Sequence, residues 1–396
     1  MNSIFETENV LEAYLSCRYN KRNKGKVLEY EIGYEEKIMK LSEKLKKRKY
    51  ECGKSVCFTV THPKPREIFA AEFEDRVVHH LLVGKLEPEL EKTFSYSSFA
   101  CRKEKGTLKA SKYLRSRMNK VTKNKTKKAY YGQFDIKSFF MSIDKGKLLE
   151  ILEEEISKKF KKEQEELMWL CEKIVNHDPT QNYVNNGVFE KIPKHKSLFG
   201  VKKGKGLAIG NLTSQFFANV YLNKLDQYVK RNLKAKHYVR YVDDFVILSE
   251  SFEEIVDMRE KISEYLEKEL FLELQPSKDK YGSIYGGIDF VGYVVKPSHV
   301  LVRDRLVKNL KNKLYFFNQG YFLETKKSKQ EYLPMPSPLS KENVSKMLST
   351  INSYYGYLIQ GNTFKLRRNL YEKHFGILKK VLEPKEQYMY FGIMNE

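Results

Sequence analysis

HYVRYVDDFVIL, His237 to Leu248, is the most telling segment of the chain. Two runs rich in β-branched and aromatic residues, His237–Val242 and Phe245–Leu248, are joined by Asp243-Asp244, which predicts a β-hairpin with two carboxylates at its tip. Adjacent acids in one tight turn repel each other. A turn that needed only a tolerant backbone would carry Asn-Gly or Asp-Gly. A divalent cation removes the repulsion, and ligation by oxygen alone suits Mg²⁺. An ordinary solvated turn is the bland alternative.

Upstream, residues 129–137 read as a strand with Asp135 near its end, in FDIKSFF (Phe134–Phe140). A strand-end acid and a hairpin acid pair can converge on two metal ions, which would activate an attacking 3′ oxygen and stabilise departing pyrophosphate. Helical spacing is predicted over 1–50, where Ile38, Leu41 and Leu45 form a stripe, and over 145–175, 212–233, 252–272 and 344–382. Short strands are expected over 57–68, broken at His62-Pro63-Lys64-Pro65, and over 284–295; 325–338 reads as a loop. Strands mixed with helices argue for an α+β or α/β body with a helical C-terminal appendage.

The formal net charge is +22 over 396 residues, with 41% apolar residues and five cysteines. Such an excess of Lys and Arg points to a polyanionic partner, because phosphate neutralisation releases counterions. Between Lys109 and Lys128 seven more basic residues, including Arg115, Arg117 and Lys120, follow one another with no acid among them, which favours a template-facing surface over a balanced solvent face. The cysteines lack zinc-site spacing and read as reduced thiols. No apolar stretch is long enough for a membrane span, and the start, MNSIFETENV, has no apolar signal core. The expectation is a cytoplasmic protein.

FDIKSFF followed by RYVDDFVIL resembles the A and C motifs of reverse transcriptases. Gly206–Gln215 occupies the place of the B motif, Leu272–Lys278 resembles the D motif, and Gly287–Tyr293 the E motif. Lys64–Ile68 and Ser98–Thr107 resemble the fingers motifs, so the ordered likeness runs from about residue 60 to 300. The resemblance implies a right-hand polymerase of the α+β class. Its divisions would be a basic helical extension (1–50), fingers (51–128), a palm with an antiparallel sheet (129–300) and a helical thumb (301–396). It implies two Mg²⁺ ions held by Asp135, Asp243, Asp244 and the carbonyl of Ile136. Lys278 matches the lysine that protonates pyrophosphate, with Lys280 close enough to be confused with it. Arg66 and Arg102 match the triphosphate clamp. Phe140 matches the residue that excludes a ribose 2′-hydroxyl, with Phe139 the runner-up because adjacent residues of a strand face opposite sides.

Within the B motif, Ile209-Gly210 and Ser214-Gln215 stand where many reverse transcriptases have Gln-Gly and Ser-Pro. That departure resembles the enzymes of diversity-generating retroelements. It implies an enzyme that copies a template-repeat RNA with errors opposite adenine, pairs with RNA–cDNA duplex and deoxynucleoside triphosphates, and works with a pentameric accessory protein. Ile209, Gly210 and Gln215 would then border the nascent base pair. Rival readings are an antiphage-defence or retron enzyme, and a catalytically silent RNA-binding protein.

Overall fold

The computed structural model describes residues 3–61, 65–187, 192–323 and 341–394, with side chains undescribed at 320–323 and 341–342. His62-Pro63-Lys64 and the expected loop at 325–338 lie outside the described residues. The chain forms two compact units, one of residues 1–106, 132–247 and 252–281, the other of 107–131, 248–251 and 282–396.

The first unit opens with helices α1 (Thr7–Arg18), α2 (Gly25–Glu31) and α3 (Tyr34–Lys46). Ile38, Leu41 and Leu45 are buried, as their spacing requires. Strands β1 (Ser55–Val60) and β2 (Arg66–Ala70) pair antiparallel ahead of α4 (Phe73–Leu90). The basic run that follows forms α5 (Thr107–Val121), which belongs to the second unit.

Next come β3 (Tyr130–Asp135), a single turn α6 (Phe139–Ser142), α7 (Lys145–Lys159) and α8 (Gln164–Asn176). The sequence read 145–175 as one helix. The structure breaks it at Phe160, whose φ of −125° leaves the helical region. Strand β4 (Tyr183–Asn185) adds parallel to β1. Helix α9 (Leu212–Gln227) is buried nearly all round, as an internal helix should be. Its Asn219 amide donates to Ala100 (2.9 Å) and its Tyr221 hydroxyl to Leu270 (2.7 Å).

The central sheet holds β5 (His237–Tyr241), β6 (Asp244–Ser249), β3 and β7 (Lys280–Ser283) in the order β5-β6-β3-β7. Phe134 of β3 meets Phe245 of β6 with ring centroids 5.5 Å apart. Helix α10 (Phe252–Leu270) packs so closely on β3 that a Cβ at Gly132 would lie 2.6 Å from Ile255. Glycine is therefore required there.

The second unit contains β8 (Ile288–Phe290), β9 (Tyr293–Val295) and β10 (Val300–Val302), an antiparallel sheet of order β10-β9-β8. Arg115 of α5 donates to the carbonyls of Pro297 (3.2 Å) and Ser298 (2.5 Å), which anchors the basic helix beside this sheet. Helices α11 (Asp304–Leu323), α12 (Lys341–Leu358) and α13 (Phe364–His374) follow. The expected helical C-terminus also contains a hairpin, β11 (Leu382–Lys385) and β12 (Tyr390–Ile393). Asn352 of α12 exchanges two hydrogen bonds with the backbone of Phe391, fixing that hairpin to the helices. Among the described residues no helix is long and apolar enough to cross a membrane. The architecture is α+β, as expected.

One polar interaction lies deep in the central sheet. Arg240 of β5 grips Asp226 of α9 through Nε (2.7 Å) and Nη2 (2.6 Å), and Tyr238 donates to the same carboxylate (2.8 Å). The Arg240 and Asp226 side chains are 1% and 0% exposed. Asp226→Asn would leave the buried guanidinium without its counter-charge, at a cost of about 3–5 kcal/mol by urea denaturation. The double change Arg240→Met with Asp226→Leu should recover most of the loss. A cost below about 1 kcal/mol for the single variant would place the pair in solvent.

Candidate active site

The hairpin turn is Val242-Asp243; Asp244 is already the first residue of β6. The sequence reading put the turn one residue later. Val242 sits at φ +55°, where a β-branched residue costs about 1–2 kcal/mol. Arg240 holds this turn, since Nη1 donates to the Val242 carbonyl (3.0 Å) while the rest of the guanidinium is fixed on Asp226. Its backbone is fixed as well, through Arg240 N–H to Ser97 (2.8 Å) and Phe99 N–H to Arg240 (3.0 Å). Neither Arg240 nor Asp226 was singled out from sequence. The available signal was a charged residue among apolar ones on a central strand.

Asp135 ends β3, and the next N–H, that of Ile136, donates to the Asp243 carbonyl (3.2 Å). This bond ties the strand end to the hairpin tip. Asp243 is half-buried. Burial, and then the negative charge of Asp135, push its carboxyl up to about 6, while Lys278 and Arg66 pull the other way. Lys278 forms an ion pair with Asp135. It stands on a short 3-10 turn, Pro276–Lys278, docked by Gln275 N–H to Asp135 (2.8 Å) and Lys137 N–H to Glu273 (2.9 Å). Those two bonds flank Ile136, so its own carbonyl is not part of the bridge. Lys280 is on the exposed strand β7 and Lys278 has the acid contact, which separates two lysines the sequence left confusable.

Asp244 is placed differently from the other two acids. Gln133, two residues before Asp135 on β3, donates its amide to both Asp244 oxygens (3.0 and 3.2 Å). Among the described residues no three His, Cys, Asp or Glu side chains are grouped to hold a metal ion. The structure thus joins Asp135 and Asp243 and holds Asp244 on Gln133. The fit to a divalent cation rests on the first two: close, like-charged oxygen donors, one of them desolvated, with the Ile136 carbonyl beside them.

The chain leaves β3 through Ser138, at φ +47°, into α6. Phe139 is buried and Phe140 is partly exposed. The separation comes from a helical turn, not from the strand alternation expected. Phe140 accepts from Leu207 N–H and Ile143 from Gly206 N–H, both at 2.8 Å. On its other side the same segment pairs with β2: Phe69 N–H donates to Ile209 (2.9 Å) and Ala71 N–H to the Asn211 side chain (3.3 Å). Gly210 has φ +128°, and a Cβ there would lie 2.7 Å from Ile68 and 2.8 Å from the Phe69 carbonyl. Only glycine serves. Gln215 is exposed on the first turn of α9, and Arg66 is exposed at the start of β2.

Arg102 departs from its expected role. Its Nε donates to both oxygens of Glu91 (2.9 and 3.1 Å) and its Nη1 to the carbonyls of Ser95 (2.6 Å) and Ser98 (2.8 Å). With 5% side-chain exposure, this guanidinium braces the 91–102 loop, and its donors are not directed at a triphosphate.

An acidic strand end beside an acidic hairpin tip, on an antiparallel sheet flanked by helices, defines the right-hand polymerase class. The family model for reverse transcriptase (RNA-dependent DNA polymerase) matches residues 54–295, more than half of the chain, and the chain belongs to that family. Solved structures similar to it include an apo telomerase from Candida tropicalis truncated from its C-terminal domain, at 14% identity and a TM-score of 0.46, covering 63% of this chain and 55% of that one. Another is telomerase from Candida albicans in complex with a TWJ fragment of telomeric RNA, at 13% identity and a TM-score of 0.46, covering 83% and 59%. The chain thus spans less than two thirds of these telomerase chains. No curated protein sequence matches it.

The raised carboxyl of Asp243 has a stability consequence. Its folded value of about 6 exceeds the ordinary 3.8, so its charged form opposes folding above pH 6, and the effect fades as pH falls from 6 to 4. Asp243→Asn should stabilise the metal-free chain at pH 8 by on the order of 2 kcal/mol, a gain that shrinks toward pH 4. Thermal unfolding in EDTA at several pH values checks this. Destabilisation at pH 8 would contradict the like-charge account.

Proposed function

We propose that the chain is an RNA-directed DNA polymerase that uses two Mg²⁺ ions, with Asp135, Asp243 and the Ile136 carbonyl as its oxygen donors and Asp244 steadied alongside by Gln133. The observation that carries this reading is the Asp135–Asp243 pair, its Asp243 desolvated, at a strand end and a strained hairpin tip. When bound, the ions supply Lewis acidity to the attacking 3′ oxygen and to the departing pyrophosphate. Lys278, already on Asp135, is positioned to return a proton to that pyrophosphate. Arg66 is the guanidinium that holds the triphosphate. Phe140, partly exposed over the turn that follows Asp135, excludes the 2′-hydroxyl by contact.

The subtype we infer is the reverse transcriptase of a diversity-generating retroelement, copying a template-repeat RNA with errors at adenine, in the cytoplasm and with a pentameric accessory protein. Ile209 supports this. It is held between β2 and the Phe140 turn at a position where a glutamine would offer a hydrogen bond. Losing that bond removes about 1 kcal/mol of geometric discrimination. The basic N-terminal region, whose excess Lys and Arg lie at Arg18–Lys26 and Lys47–Lys49, is the surface we assign to the accessory protein.

Primer extension on a defined RNA with deoxynucleotides and Mg²⁺ tests the activity. Asp135→Asn and Asp243→Asn should each lose at least about a hundredfold; a wild-type chain that binds RNA but never incorporates deoxynucleotide would sink the polymerase reading. Sequencing the products of Ile209→Gln should reveal fewer errors opposite template adenine, and an unchanged spectrum would remove this explanation of them. Phe140→Val should raise ribonucleotide incorporation roughly tenfold or more, measured as the ratio of kcat/KM for ribo- and deoxynucleotide.

A further inference from the structure

Behind the 206–211 segment, within the first unit, is a cavity of about 710 Å³, a volume that accepts a nucleotide. It is walled by α4, the end of α8, the start of α9 and the loops 177–181 and 198–208. Asp135, Asp243, Phe140, Arg66 and Ile209 are not among its lining residues.

Its polarity is one-sided. Lys145, Lys202, Lys203 and Lys205 line it together with His79 and His177. The two acids in the wall are already engaged. Asp75 accepts from the Tyr50 hydroxyl (2.6 Å) and Gly53 N–H (3.0 Å), and Asp178 from the N–H (3.0 Å) and hydroxyl (2.7 Å) of Thr180. The first turn of the sixteen-residue α9 enters through Thr213 and Ser214. That turn has no side-chain cap; the side-chain oxygen of Asn211, which could have served, accepts from Ala71 N–H instead. An uncapped helix start presents N–H groups and a partial positive charge.

A second observation comes from α4. His79 is 5% exposed, and its Nδ1 is buried without a hydrogen-bond partner. Burial pushes this imidazole down to about 3, and burial likewise lowers His177 and Lys145. Three basic groups share one cavity and each is driven toward its neutral form. An anion among them would reverse that penalty.

We propose that this cavity binds the phosphate group of a small molecule, either free phosphate or phosphate carried by a nucleotide. The ligand would brace the 206–211 segment at Gly206, Leu207, Ala208 and Asn211, the neighbours of Ile209. Calorimetric titration of the full chain in metal-free buffer tests the site, with inorganic phosphate in one arm and adenosine 5′-monophosphate in the other. The expected result is saturable one-site binding in at least one arm, weakened about tenfold or more by Lys145→Gln and unchanged in Asp243→Asn. Binding confined to the nucleotide arm assigns the nucleotide as source; equal affinity in both assigns the bare anion. Should Lys145→Gln fold poorly, Lys202→Gln with Lys205→Gln on the surface loop should give the weakening without burdening the core. The proposal is overturned by no saturation in either arm, by undiminished affinity in the lysine variants, or by loss of binding in Asp243→Asn.

Discussion

Two carboxylates held together against their own repulsion are the constraint around which the first unit is built. Asp135 and Asp243 come from distant parts of the chain, and one backbone bond, Ile136 to Asp243, fixes their meeting point. The arrangement is unfavourable twice over, through charge at the pair and through backbone conformation at Val242. It persists because the surroundings over-determine it. Arg240 holds the turn from beneath while its other nitrogens are locked on Asp226, and Lys278 partly neutralises the pair from the side. Local cost backed by buried structure is what a preorganised cation site requires.

The 206–211 segment connects this centre to the rest of the unit. It bonds to the Phe140 turn on one side and to β2 on the other, so a shift in either strand or turn is felt at Ile209. Its inner side also bounds the basic cavity.

What could be read from sequence followed the range of the interaction. The hairpin, the strand ending at Asp135 and the stripe of Ile38, Leu41 and Leu45 are set by neighbours within a few residues, and periodicity exposes them. The Arg240–Asp226 pair joins a strand to a helix; the sequence shows a charged residue on an apolar strand but not its partner. The engagement of Arg102 by Glu91 and the serine carbonyls was hidden for the same reason; an arginine in a motif looks alike whether it meets a ligand or its own loop. The break between α7 and α8 and the C-terminal hairpin are tertiary outcomes, the hairpin depending on Asn352 some forty residues earlier. The hairpin tip and the strand end named the three acids but not their geometry. That Asp244 rests on Gln133 needed coordinates.

Site-directed oxidative cleavage tests whether Asp135 and Asp243 share one cation. Fe²⁺ placed in the full chain in place of Mg²⁺, with ascorbate and peroxide, cuts backbone near wherever the cation resides. Cuts should be confined to the neighbourhoods of Asp135 and Asp243 and be suppressed by excess Mg²⁺. Cleavage at only one of these two places, or at neither, would contradict a shared cation between them.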